Sequence, residues 1–442
     1  MKIVLIYIGV SLGTILFTIL FIFLFCPVVF FNGFIKSKIE NSFKKSNPGY
    51  SLSISSLHYK FWNNKIEADT IRIYKNDSVQ IYRIIGCSVA GIRFNQLLSG
   101  GPKDGNFNGY VADAKEININ NKESKYEMNI KAIHVSVDDS IMVAKDFEYH
   151  PTTDDEKLFA ANQFRQTRVK IKIPSIKLSG TNPEGLINNK KFHARLAKLN
   201  DMSVDILLNK DKPCEIDTAI NPMPNELFNK IKNPFQFDSI TIENGQLSYN
   251  ERFEVNGQNA NLSFNHINIK AAEINDTLKN STTAIINGNG IFNNTTPLNL
   301  SMIVPLSSKD FSLKYSGTWG EMDLTNINHY LDIAEAMRVK SGRLESASFN
   351  VDITNGYASG NVKAIYTDLK LEPVIGKQTK SKLRTNVNYF LLNSLMIHKN
   401  NIADKKGNVK PGEIKYMRGH DTAFMEMIWF SLRSGIIDIS GI

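Results

Sequence analysis

The sequence predicts a mainly β fold behind one N-terminal membrane helix, and three observations carry that reading. Residues 3–31 (IVLIYIGVSLGTILFTILFIFLFCPVVFF) form an apolar run with no charge between Lys2 and Lys36. From about residue 50 onward, apolar and polar residues alternate with period two in segment after segment, the pattern of strands with one apolar and one polar face. Turns rich in Asn and Gly stand between those segments, predicting hairpins and a largely antiparallel sheet.

The run comes first. A hydrocarbon core of ~30 Å needs about 20 apolar helical residues, so 3–31 is long enough to span with some tilt. A cleaved signal peptide usually has an apolar region of only ~7–15 residues ending in small side chains, whereas this one runs into Pro27, Phe30 and Phe31. A retained anchor is therefore expected ahead of a cleaved signal or a soluble core helix. Lys36, Lys38, Lys44 and Lys45 follow the span and only Lys2 precedes it, which by the positive-inside rule alone would leave the bulk of the chain cytoplasmic.

The strands follow. Leu52/Ile54, Ile71/Ile73, Ile117/Ile119, Val135/Val137 and Val169/Ile171/Ile173 alternate early; Val204/Ile206/Leu208, Ile240/Ile242, Leu262/Phe264 and Leu298/Leu300/Met302/Val304 lie centrally; Leu313/Tyr315 and Phe349/Val351/Ile353 lie late. Hairpin signals fall at Asn63-Asn64, Asn76-Asp77, Asn244-Gly245, Asn256-Gly257, Asn293-Asn294 and Asn355-Gly356, because Asn and Gly tolerate positive φ. Three helices are expected: 34–43 just after the span, one carrying Leu324, Ile327, Leu331, Ala334 and Met337, and one capped by Asp421 and stopped by Gly435. The expected divisions are an anchor over 1–35, an N-terminal β-rich region over 36–160, a central sheet over 161–310 and a C-terminal region over 311–442, with the stretch 146–166 as a subdomain boundary.

Composition narrows the function classes. The net charge of +9 is spread through strand-like segments without a block of like charge, which suits a basic surface near anionic headgroups and argues against nucleic acid as a partner. Three cysteines, one of them inside the apolar run, leave only Cys87 and Cys214 to pair, so neither a disulfide framework nor a CxxC metal pair is expected.

Signatures of chemistry are sparse. Gly288 and Gly290 begin like a dinucleotide fingerprint but lack the third glycine and sit among strands, and P-loop, GxSxG and HExxH patterns are missing from the sequence. The histidines are scattered and read as surface or structural residues, and Trp62, Trp319 and Trp429 as packing residues in preference to interface anchors. A non-enzymatic chain without cofactor, metal or catalytic residues is expected.

The C-terminal third adds a resemblance. Residues 311–331 (FSLKYSGTWGEMDLTNINHYL), 339–351 (VKSGRLESASFNV) and 360–371 (GNVKAIYTDLKL) are followed by PGEI at 411–414, RGHD at 418–421, IWFSL at 428–432 and SGI at 434–436. In this order they resemble the C-terminal region of bacterial AsmA-like envelope proteins. The likeness covers about residues 235–442; the stretch 75–235 matches only in being β-rich. It implies an inner-membrane protein of a diderm bacterium, single-pass through residues 3–31, with a cytoplasmic N-terminus and a periplasmic bulk, against the lysine count after the span. It further implies a long curved antiparallel sheet forming an apolar groove, and a part in phospholipid transport between inner and outer membrane or in outer-membrane maintenance. No catalytic residues come with it.

The expected lining of that groove is Ile240, Ile242, Leu262, Phe264, Leu298, Leu300, Met302, Val304, Phe349 and Val351, with phospholipid acyl chains as the ligand and envelope proteins as further partners. The same alternation also fits a β-sandwich whose apolar faces bury each other; periodicity alone favours the sandwich and the resemblance favours the groove. A second reading is a non-enzymatic envelope scaffold that binds a protein partner by strand addition at an exposed sheet edge, and an envelope hydrolase is a distant third.

Overall fold

A computed structural model describes residues 30–75, 80–99, 107–183, 185, 191–213, 223–228, 230, 235–275, 283–308, 310–374, 397–419 and 422–441. The expected span lies outside the described residues except for Phe30 and Phe31. Among the described residues no helix is long and apolar enough to cross a membrane. The chain is mainly β and forms two compact units, residues 1–152 with 180–188, and residues 153–179 with 189–442.

The first unit opens with a wide helical turn, Phe30–Ile35, that runs into α1 (Lys36–Ser46). Its strands are β1 (Tyr50–Ile54), β2 (Leu57–Lys60), β3 (Lys65–Lys75), β4 (Gln80–Ala90), β5 (Val111–Asn121), β6 (Tyr126–Ser136) and β7 (Ile141–Pro151), with α2 (Phe94–Ser99) between β4 and β5. From β3 to β7 each strand pairs antiparallel with the next, and β1 and β2 lie end to end along the free side of β3. Phe31, Ile35, Ile54, Leu57, Tyr59, Ile66 and Ala68 make its core. Phe31 and Ile35 are each only 1% exposed, so the folded unit reaches back into the residues assigned by sequence to the anchor.

The second unit contains α3 (Asp155–Ala160), β8 (Gln166–Ser179), β9 (Phe192–Asn200), β10 (Ser203–Asn209), α4 (Pro224–Phe228), β11 (Phe235–Arg252), β12 (Ala260–Asn275), β13 (Thr283–Phe292), β14 (Thr296–Pro305), β15 (Leu313–Trp319), β16 (Met322–Asp323), α5 (Asn328–Ala334), β17 (Met337–Thr354), β18 (Tyr357–Pro373), β19 (Pro411–Met417) and α6 (Phe424–Ser440). β9 and β10 are two lengths of one strand, broken where Asp201 turns to a φ of 55°, and both pair antiparallel with β8. From β11 to β15, and again from β17 to β19, consecutive strands are antiparallel, with β17 taking β15 and β16 on one side.

Three expectations need correction. First, β11 runs parallel to β9 and β10, so the sheet is mixed, a pairing that two-residue hairpin logic does not anticipate. Second, Asn244-Gly245 does not close a hairpin. Asn244 takes a φ of 55° inside the eighteen-residue β11, and the register against β12 shifts on either side of Gly245; a left-handed residue serves a bulge as well as a turn. Third, α6 passes through Gly435 and ends at Gly441, whose φ is 71°. Asp421 is outside the described residues; at Ala423 the backbone N–H donates to Glu426 Oε2 at 3.0 Å.

Two described sheet edges, one in each unit, have backbone donors bonded by side chains. Leu57 N–H on β2 donates to Asn32 Oδ1 (2.7 Å) and Ile54 N–H on β1 to Glu40 Oε1 (2.8 Å). On β19, Glu413 N–H donates to Asp438 Oδ2 (2.8 Å) and Lys415 N–H to Ser434 Oγ (3.1 Å), both from α6. Satisfying these donors removes the template an edge strand offers to other chains.

Candidate functional site

Strand register brings all ten expected lining residues to one face of the second unit. One cross-strand row runs Ile240, Ala271, Ile286, Met302, Tyr315, Val351. The next runs Ile242, Ile269, Gly288, Leu300, Gly317, Phe349. Leu298 follows opposite Trp319, Phe264 opposite Phe292, and Leu262 opposite Tyr249; Val304, opposite Ala284, closes the other end. The bulges at Asn244 and at His266, whose φ is 50°, let β11 and β12 keep the same face inward along their whole length.

From Ile269 onward large side chains alternate with glycine along the second row, and Ile269 and Phe349 lie over the glycines beside them. A Cβ on Gly317 would stand 2.5 Å from Phe349 Cζ, and one on Gly288 would stand 3.1 Å from Ile269 Cγ1. Ring contacts continue across the face from Phe264 to Phe292 (5.2 Å), Trp319 (5.7 Å), Phe349 (6.1 Å) and Tyr315 (5.9 Å). Contacts at these spacings hold the rings in register.

The ten residues differ in cover. Val304, Phe349 and Val351 are buried, whereas Ile240, Ile242, Leu262, Phe264, Leu298, Leu300 and Met302 are half-buried. Helix α6 covers the β17–β19 side: Gly435 lies against Val362 and Ile414, and the Tyr315 hydroxyl on β15 donates to the Ile428 carbonyl at 3.2 Å. At β11–β12, Tyr249 and Ala260 pack with Tyr330 and Ala334 of α5 and with Met425 and Trp429 of α6. One helix therefore reaches β11 and β19. Seven strand spacings separate those strands, about 34 Å along the sheet, and α6 is about 25 Å long.

A buried ionic cluster fixes the helix there. Lys210 Nζ lies 2.7 Å from Glu251 Oε1 and 3.0 Å from Glu426 Oε1, and the Tyr249 hydroxyl donates to Glu251 Oε1 at 2.8 Å. Burial works to lower the Lys210 pKa, but the two carboxylates outweigh it and leave it raised. Burial also pushes Tyr249 and Tyr330 up, with the Glu251 carboxylate adding to both. Arg433 pairs with Glu335 at 2.9 Å; burial nevertheless leaves the Glu335 carboxyl raised. The cluster ties β10, β11, α5 and α6 together, which is structural work.

The opposite face is wet. Thr241, Lys270, Asn287, Ser301, Ser316 and Asn350 form one row there and Asn268, Asn289, Asn299, Thr318 and Ser348 the next, and with Ile242, Ile269, Gly288, Leu300, Gly317 and Phe349 of the second apolar row between them they line an open trough of 820 Å³. Its side chains bond across strands, Asn268 Nδ2 to Asn289 Oδ1 (3.2 Å) and Asn299 Nδ2 to Thr318 Oγ1 (3.2 Å), and so act as sheet ladders. Among the described residues no group of acidic, histidine and cysteine side chains is placed to hold a metal ion.

Sequence reasoning missed the helix cover and the ionic cluster. Lys210, Glu251 and Glu426 are far apart in the chain, and no spacing rule links them. The tryptophans divide: Trp319 and Trp429 pack as expected, whereas Trp62 is fully exposed. No protein-family model matches the chain, and no curated protein matches it.

Proposed function

We propose that this chain is a single-pass, inner-membrane-anchored protein of a diderm bacterium, related to the AsmA-like envelope proteins, that carries phospholipid acyl chains along the apolar face of its periplasmic sheet and makes no covalent change to them. The observation that carries this reading is the single face shared by ten apolar residues, seven of them only half-buried.

Physical chemistry makes such a face useful. An acyl chain of ~16 carbons exposed to water costs about 0.8 kcal/mol per CH₂, or about 12 kcal/mol. Apolar surface has to accompany the lipid across an aqueous compartment. From β11 to β17 the face crosses five strand spacings, about 24 Å, and half the ~30 Å hydrocarbon core is about 15 Å, the depth of one tail. The indole N–H groups of Trp319 and Trp429 are buried without a hydrogen-bond partner among the described residues, and a lipid ester carbonyl would satisfy such a donor.

The scaffold reading by strand addition meets β1, β2 and β19 edges whose donors named above already bond to Asn32, Glu40, Asp438 and Ser434. The test is mass spectrometry of lipids that co-purify, without detergent, with a form beginning at Phe30, which keeps the Phe31 and Ile35 core contacts. Stoichiometric phospholipid is the expected result. A folded, lipid-free protein would turn the reading toward the scaffold.

A further inference from the structure

Trp62 is 102% exposed, its chain neighbour Phe61 40%, and Phe34, which joins Phe61 through the rings of Phe30 and Phe31, 57%. An indole held wholly in water gives nothing to folding, because its large apolar area contributes only when buried. Yet the turn that presents it is firmly built. Phe61–Asn63 forms one tight helical turn between β2 and β3, closed by Asn64 at a φ of 46°. The Phe61 ring packs on Tyr59 (4.8 Å), Phe94 (5.5 Å) and Phe31 (6.2 Å), and the Tyr59 hydroxyl donates to the Ile92 carbonyl at 2.9 Å.

Position gives the exposure its meaning. Phe31 is the last residue of the apolar run, and it stacks on Tyr59 at 5.6 Å inside that aromatic cluster. Phe34 continues it through Phe30 at 5.8 Å. Lys36 and Lys38 follow directly on α1, while Lys60 and Lys65 flank the turn, both paired with Glu67. Exposed aromatics with lysines beside the end of a long apolar segment are the composition of a membrane–water boundary, where an indole places its ring among the acyl carbons and its N–H among the headgroups.

We propose that the Phe61-Trp62 turn and Phe34 seat the first unit on the headgroup boundary of a lipid bilayer, Trp62 entering it from the side. This inference rests on reading residues 3–31 as a membrane anchor; it adds a second, independent contact that sets how the unit meets the bilayer. The occupant is the lipid surface itself, since the cluster that holds the turn contains the end of the very segment expected to enter the bilayer.

The test uses the full chain reconstituted into phosphatidylcholine/phosphatidylglycerol vesicles, with a fraction of the phosphatidylcholine brominated either near the headgroup end of the tail or near its terminus. Subtracting the emission of W62F from that of the natural chain isolates Trp62 from Trp319 and Trp429. The expected result is that this difference emission loses about half its intensity with the shallow bromines and less with the deep ones, as for an indole at the interface. A chain that floats with the vesicles while its Trp62 emission stays unquenched by either lipid overturns the seating and leaves the anchor standing. A chain that does not float overturns both.

Discussion

Gly412 of β19 and Gly435 of α6 meet backbone to backbone: a Cβ built on Gly412 would lie 1.9 Å from the Gly435 carbonyl oxygen and 2.5 Å from Ile439 Cγ1. The obstacle is main chain, so no rotamer change relieves it. G412A must push the helix off the strand, and overpacking of this kind costs typically 1–3 kcal/mol and sometimes more. Because α6 also covers Val362 and Ile414, a loss at the upper end of that range is expected. Urea denaturation followed by near-UV circular dichroism measures it; a midpoint equal to that of the natural chain would mean the helix does not sit there.

The Asp438 carboxylate and the Ser434 hydroxyl bond to the outward N–H groups of Glu413 and Lys415 on the last strand. Removing both acceptors in the D438A/S434A double variant frees two donors at a sheet edge, at about 1 kcal/mol for each bond lost. The larger effect should be association, since an open edge is a template for another chain. Sedimentation velocity should show a dimer or larger species growing with concentration in the double variant. A strictly monomeric variant would show that the edge needs no cover.

The sequence made the strands and their faces legible because period-two alternation survives any topology. Leu298, Leu300 and Met302 share a face whatever strand lies next to them, and the bulges at Asn244 and His266 preserve that face across β11 and β12. Neighbour relations were less readable. The sequence between β10 and β11 carries no alternation to announce that the two run parallel, and Asn244-Gly245 looks the same in a bulge as in a hairpin. Gly435 read as a helix stop because a small residue at close backbone contact resembles a terminator. The exposure of Trp62 was beyond sequence reasoning, since an aromatic in a strand-flanking turn is as compatible with a core as with a surface.

Lys210 is held between Glu251 and Glu426 with 13% of its side chain exposed. Replacing it in K210M leaves two carboxylates buried without their cation, and breaking such an arrangement costs about 3–5 kcal/mol. The pH dependence follows from the raised pKa. A lysine raised in the folded state contributes its stability in full below the ordinary lysine value of about 10.4, and that contribution is lost as the pH climbs through the raised value. The gap in urea midpoint between the natural chain and K210M should therefore be constant near neutrality and narrow only in strong alkali. A gap that closes already between about pH 7 and 9 would contradict the assignment of the cluster to Lys210.

Adjacent positions on β14 separate the two faces most directly. Leu300 and Met302 lie on the apolar face beside Gly317 and Tyr315, whereas Ser301 between them lies on the wet face beside Ser316. If the apolar face holds acyl chains, L300D and M302D place a carboxylate against hydrocarbon, where an unpaired charge costs several kcal/mol. At about 1.4 kcal/mol per tenfold in affinity, lipid occupancy should fall by at least an order of magnitude. S301D adds the same charge one residue away, into water, and should leave occupancy unchanged. All three variants should keep the natural far-UV circular dichroism. Equal lipid content in L300D, M302D and S301D would place any bound lipid elsewhere and return the half-buried face to a purely structural role.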